Sequence, residues 1–310
     1  MSDAAVDAAV ETIVARVKKT YGSWGRGTTV QQMRGDWDAL FGVAAVQATV
    51  KPVDAGGVAC EWVIAPGAAE TKTVMYFHGG GFQVGSLVSH RELMACISAE
   101  AGCRVLGVGY RLAPEHRYPA ALDDARTAYE WLLAQGIPPE HIALAGDSAG
   151  GGLALSLLLF LRDAGQPLPA AAALMSAWTD LTASGASYET RATADPIHQR
   201  PMIQAMARNY LGKEGDAKHP YASPQLAALE GLPPLLAQVG DRETVLSDTT
   251  DFIAKAQAAG VDARAEVWPD MIHVFQQFPR ELPQAREALQ SIGAFLRQHL
   301  NTETLQQEGS

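Results

Sequence analysis

The chain has 310 residues, 47% of them hydrophobic and 19% charged, which is apolar mass for one large core or two ordinary ones, with a single extended α/β domain the first expectation. A formal net charge of −10 argues against a nucleic-acid partner, because binding phosphates needs clustered Lys and Arg to neutralise them. Three cysteines, Cys60, Cys96 and Cys103, form no CxxC pair and read as free thiols in a reducing, cytoplasmic setting.

The opening, MSDAAVDAAVETIVARVKK, carries acids where a secretion signal would carry positive charge. Val6, Val10, Ile13, Val14 and Val17 recur at helical spacing, so the stretch predicts an amphipathic helix that stays on the protein. From about residue 43 short β-rich runs follow: VAAVQATV, VACEWVIA, KTVMYFH, CRVLGVGY, HIALAG, AAALMS, LLAQVG and ARAEVW. Helical stretches such as LDDARTAYEWLLAQG and TTDFIAKAQAAG lie between the later ones. Continuous apolar strands alternating with helices imply a mostly parallel, doubly wound sheet buried on both faces. The first two runs, joined by KPVDAGG without a helix, should pair antiparallel.

Two segments break the alternation: residues 1 to about 42, and 184 to about 218, where Met202, Ile203, Met206 and Tyr210 share helical spacing. Together they suggest a helical cap on the one domain, 1–310; an ordinary surface helix with a long loop is the competing reading of the second. The longest apolar run, AGGGLALSLLLFL at 149–161, falls short of the roughly 20 residues a spanning helix needs, so no membrane span is expected.

The chemistry begins at HIALAGDSAGGGLALSLL, a strand, then Gly146-Asp147-Ser148-Ala149-Gly150, then a helix. A serine on such a sharp turn is pushed out of the sheet, and the following helix points its N-terminus at developing negative charge. VMYFHGGGFQVG supplies a second piece: glycines after His78 let the backbone aim N–H groups at one point, as an oxyanion hole requires. His78 itself reads as a hydrogen-bonder that shapes this loop.

A hydroxyl nucleophile needs a base. His90, His116, His141, His198, His219 and His299 sit in helical, pre-strand or terminal contexts, whereas His273 follows the strand ARAEVW in the loop PDMIHVF, at the sheet edge where active-site groups gather. It also comes after Ser148 and after the acidic loop VGDRETVLSD, in the order serine, acid, histidine of an α/β hydrolase.

Five ordered blocks, HGGGF at 78–82, YRLAPEHRYPAALDD at 110–124, GDSAGG at 146–151, PPLLAQVGDRETVLSD at 233–248 and DMIHVF at 270–275, resemble the hormone-sensitive lipase family of bacterial carboxylesterases, in its GDSAG branch. The resemblance implies an eight-stranded α/β-hydrolase sheet under a helical cap. It makes Ser148 the nucleophile and His273 the general base, with an oxyanion hole of Gly80, Gly81 and Ala149. It implies no metal or organic cofactor, and homodimers are a family expectation. The acid departs from the family's usual Asp in D-P-L-x-D. Glu243 aligns by its distance from Gly240 and His273, Asp241 is the rival, and Asp248 reads as an acid near a helix N-terminus. The extra methylene of Glu requires the loop to stand back.

The expected activity is hydrolysis of short-chain acyl esters, or lactones, through an acyl-enzyme, with cap residues around Met202 to Tyr210 setting acyl length, Met202 and Met206 in the pocket, and Phe82 either a pocket wall or a core anchor. An amidase or carbohydrate deacetylase would use the same triad. A receptor on this fold that has lost catalysis, as related plant hormone receptors have, would show a broken triad.

Overall fold

A computed structural model describes residues 3–42 and 45–301. Eight strands, β1 (Thr49–Asp54), β2 (Ala59–Ile64), β3 (Ala69–Phe77), β4 (Cys103–Val108), β5 (Ile142–Asp147), β6 (Ala172–Met175), β7 (Leu235–Gly240) and β8 (Ala263–Trp268), form one sheet in the order β1-β2-β4-β3-β5-β6-β7-β8. The β1–β2 and β2–β4 pairs are antiparallel and the rest parallel. The described helices are α1 (Asp3–Gly22), α2 (Val30–Phe41), α3 (Leu87–Ala101), α4 (Ala120–Ala134), α5 (Ala149–Asp163), the short α6 (Ser187–Thr190), α7 (Arg200–Leu211), α8 (Leu246–Ala258) and α9 (Pro283–Leu300). None is long and apolar enough to cross a membrane.

Both faces of the central strands are apolar, and the alternation of side chains sorts them into two cores. Met75 and Phe77 of β3, with Ile142 and Leu144 of β5, pack among residues of α4, α5 and α8. Val74, Tyr76, Ala143 and Ala145 point the other way, into α3 and α9. That two-sided burial is why the runs read as continuous rather than alternating.

One boundary differs from expectation. The first strand, read at 43–50, is Thr49–Asp54, so most of KPVDAGG is itself strand; residues 43 and 44 lie outside the described residues. Lys51 and Pro52 are tolerated because β1 is the sheet edge, where a missing donor and an exposed charge disturb no second neighbour. Val46 and Ala48 instead pack on the α3/α9 core.

The predicted amphipathic helix is α1, and its five apolar residues are all buried. They form a third cluster with Met271, Ile272, Phe275 and Phe278, so α1 buttresses the loop that carries His273. This contact links the N-terminal segment to the C-terminal ends of the strands, where the site lies.

Candidate active site

Ser148 stands alone between β5 and α5 with φ 51° and ψ −121°, a left-handed backbone held at a cost of about 1–3 kcal/mol. The surroundings over-determine it. Its N–H donates to the Met175 carbonyl (2.9 Å), and its carbonyl accepts from Gly152 (3.1 Å) and Trp178 (2.9 Å). At the second residue of the helix, Gly150 lies so close to the Phe77 carbonyl that any Cβ would overlap it, which is why the elbow needs glycine there.

His273 reaches this serine from the loop after β8. Its Nε2 is 2.9 Å from Ser148 Oγ and its Nδ1 is 2.7 Å from Glu243 Oε2. Glu243 is fully buried, and its other oxygen, Oε1, accepts from the Gly240 N–H (2.5 Å) and the Ser176 hydroxyl (2.7 Å). The longer side chain curls back over its own turn, so that one oxygen meets the Gly240 N–H while the other reaches His273. Ser176 also accepts from the Val274 N–H (3.0 Å), tying the acid to the residue after the histidine. Burial alone would lower the His273 pKa, but the charge and hydrogen bond of Glu243, then Asp195 and Asp147, hold it above the usual imidazole value.

The rival acids have other work. Asp241 accepts from the Asp270 N–H (2.8 Å) and so shapes the loop leading to His273 without touching the ring. Asp248 lies in the first turn of α8, as read, but it is buried, and its Oδ2 accepts from the Thr179 (2.9 Å) and Asp180 (3.0 Å) N–H groups of the loop after β6. Burial raises its pKa to about 8 against the pull of those two hydrogen bonds.

Across the serine, the glycine loop is anchored by Asp147, which accepts from the Gly79 N–H (2.9 Å) and the Tyr76 hydroxyl (2.5 Å), with His90 Nε2 at 3.5 Å. Burial opposes a charge on Asp147, yet His90 and the Tyr76 hydrogen bond keep its pKa below the usual value. His78 shapes the loop, as expected: Nδ1 is 2.8 Å from the Gly79 carbonyl, and the ring stacks on Tyr110 at 4.4 Å. Gly80 and Gly81, at φ 113° and 61°, turn the chain past the serine. Among the described residues, the N–H groups of Gly80, Gly81 and Ala149 find no acceptor, so all three are free to meet a substrate oxygen.

A cavity opens over Ser148 and His273. Its far wall comes from both segments that broke the strand–helix alternation: Tyr21, Trp24, Met33, Trp37 and Phe41 from the first, and Ile197, His198, Ile203 and Met206 from the second. Of the three pocket residues expected from sequence, Met206 lines the cavity and Gly81 lies against its thioether. Phe82 and Met202 are not among the lining residues. Phe82 is buried and stacks on Tyr210 at 3.7 Å, a core anchor, while one step along α7 Ile203 takes the inward position in place of Met202. Sequence reasoning missed Ser176, for which no local signal exists, and set aside His198, although it falls inside the 184–218 segment.

The fold and this hydrogen-bonded order of serine, histidine and buried carboxylate define an α/β hydrolase. A family model described as the α/β-hydrolase fold matches residues 74–277. An acetyl-hydrolase from Streptomyces hygroscopicus is 44% identical over 245 residues, 79% of this chain and 81% of that protein. An esterase from Acinetobacter venetianus is 37% identical over 246 residues, again 79% and 81%. The crystal structure of an esterase from the bacterial hormone-sensitive lipase family is 42% identical with a TM-score of 0.91, covering 94% of this chain and 98% of that one. The chain belongs to the α/β-hydrolase-fold family, in its bacterial hormone-sensitive lipase group.

Proposed function

We infer that this chain is a carboxylic ester hydrolase that cleaves short-chain acyl esters through an acyl-enzyme on Ser148. The observation that carries the mechanism is the 2.9 Å contact from Ser148 Oγ to His273 Nε2 with Glu243 at 2.7 Å on the opposite nitrogen. His273 takes the serine proton as Oγ attacks the carbonyl carbon, and the Nδ1–H bond to Glu243 stabilises the imidazolium that forms. The N–H groups of Gly80, Gly81 and Ala149 receive the oxyanion. The C–O bond to the alcohol then breaks as His273 returns the proton to the leaving oxygen. A water, deprotonated by the same ring, attacks the acyl-enzyme, and its collapse releases the acid and restores Ser148. Lactones present the same carbonyl and follow the same steps.

The segments 3–42 and 184–218 act as a cap in this reading, supported by the side chains that both contribute to the cavity wall. The three free cysteines fit a reducing, cytoplasmic setting. A homodimer would use the unpaired edge of β8, where Val267 is exposed; a doubled mass in light scattering tests it.

Replacing Ser148 with Ala should reduce turnover of p-nitrophenyl butyrate by at least about 10⁴-fold and abolish covalent labelling by a fluorophosphonate. Retained turnover overturns the nucleophile. A wild type that neither turns over esters nor accepts the label would favour the receptor reading.

A further inference from the structure

The cavity wall above the catalytic pair is mostly aromatic and aliphatic, with one histidine that the reaction does not use. His198 lies in the turn before α7, with 8% of its surface exposed. Its position is built. Asp195 accepts from the Ile197 (2.9 Å) and His198 (2.8 Å) N–H groups through Oδ1, and from the Thr244 N–H (2.8 Å) and hydroxyl (3.1 Å) through Oδ2. Thr244 adjoins Glu243, so one buried carboxylate fastens the turn of His198 to the loop of the acid.

The His198 ring meets the His273 ring at 4.5 Å between centroids and 67° between planes, with Tyr21 edge-on at 6.3 Å. Nδ1 is buried and finds no hydrogen-bond partner among the described residues, and Nε2 makes no hydrogen bond there either. Burial, then the proximity of His273, lowers the pKa to about 3, so His198 is neutral at working pH and offers one donor and one acceptor. Nδ1 is sealed from the cavity, so the nitrogen within reach is Nε2, a polar atom without a partner that a substrate hydroxyl of matching chemistry satisfies.

Which half of the ester it would meet follows from the mechanism. His273 must protonate the leaving oxygen, so the alcohol half sits against that ring, and His198 is the unpartnered polar group packed on the same ring. We propose that His198 is a specificity-determining residue that hydrogen-bonds a hydroxyl near the scissile oxygen of the alcohol half, favouring glycol- or glycerol-type esters over alkyl esters of equal size. This rests on the esterase reading above.

The test compares 2-hydroxyethyl butyrate with the isosteric propyl butyrate, each kcat/KM normalised to the ester's rate with hydroxide. Wild type should prefer the hydroxyethyl ester about tenfold, a factor typical of one hydrogen bond. His198→Phe, which keeps the flat ring contact, should bring the ratio to about one, with the change carried in KM, and His198→Gln should retain much of the preference. A wild-type ratio of one or less, or equal ratios in wild type and His198→Phe, overturns the proposal; the wild-type ratio alone decides it if His198→Phe does not fold. A wild type that hydrolyses neither ester overturns the esterase reading, and this inference with it.

Discussion

At the scale of single residues, Glu243 is the proposed triad acid because of which oxygens face which donors. Glu243 gives one oxygen to His273 and one to its own turn, whereas Asp241 is spent on the Asp270 N–H. Glu243→Gln should therefore lower kcat by about 10³–10⁴-fold, as expected for loss of the charge that orients and stabilises the imidazolium, and Asp241→Asn by less than about tenfold. Steady-state kinetics on both variants checks the order; a larger loss at Asp241 reverses the assignment. The pH profile carries an independent sign. The proposed mechanism needs neutral His273, so kcat/KM should fall as pH drops through its pKa. Because the Glu243 charge raises that pKa, Glu243→Gln should move the acid limb of kcat/KM to lower pH. A limb that stays or moves up contradicts the coupling.

Elements transmit these positions. Helix α1 contributes no chemistry, yet Ile13, fully buried, packs in the cluster that holds Met271 and Ile272 beside His273. Ile13→Ala should cost about 2–5 kcal/mol of stability in denaturant titration and lower kcat as well, since the loop it supports carries the proposed base. Helix α8 holds a buried acid that stays protonated to unusually high pH. Asp248 titrates near 8 in the fold and at about 3.9 in the unfolded chain, so the folded state binds the extra proton between those values. Its stabilising contribution is complete below about pH 4 and is lost as pH rises through 8. The difference in Tm between wild type and Asp248→Asn should accordingly shift in favour of the variant from pH 5 to pH 9; a constant difference would show that Asp248 is ionised throughout.

For the whole molecule, the net charge of −10 sets which substrates approach easily. An ester bearing a sulfonate is repelled at long range, and salt screens that repulsion. From about 10 mM to 200 mM ionic strength, kcat/KM for a sulfonated aryl butyrate should rise about threefold while that of its neutral counterpart stays level. A parallel response of the two would show that the net charge does not repel the sulfonated ester at the site.

Strand runs, the elbow and the glycine loop were legible in sequence because each is local: burial on both faces, a bend flanked by glycines, a loop at a strand end; the order serine, acid, histidine was legible because it is written in the chain itself. The buried stripe of α1 was legible for the same reason, since five residues at helical spacing declare one face. Choosing Glu243 over Asp241 followed from spacing, but how the longer side chain fits did not, because Ser176 and the Gly240 N–H that receive it converge only in the folded loop. Phe82 and Met202 went the other way for an equally tertiary reason: stacking on Tyr210 and the rotation of α7 decide which side chains face the cavity. His198 stood in a segment already marked as cap. Only the Asp195 clamp, joining residues 49 positions apart, sets its ring against His273.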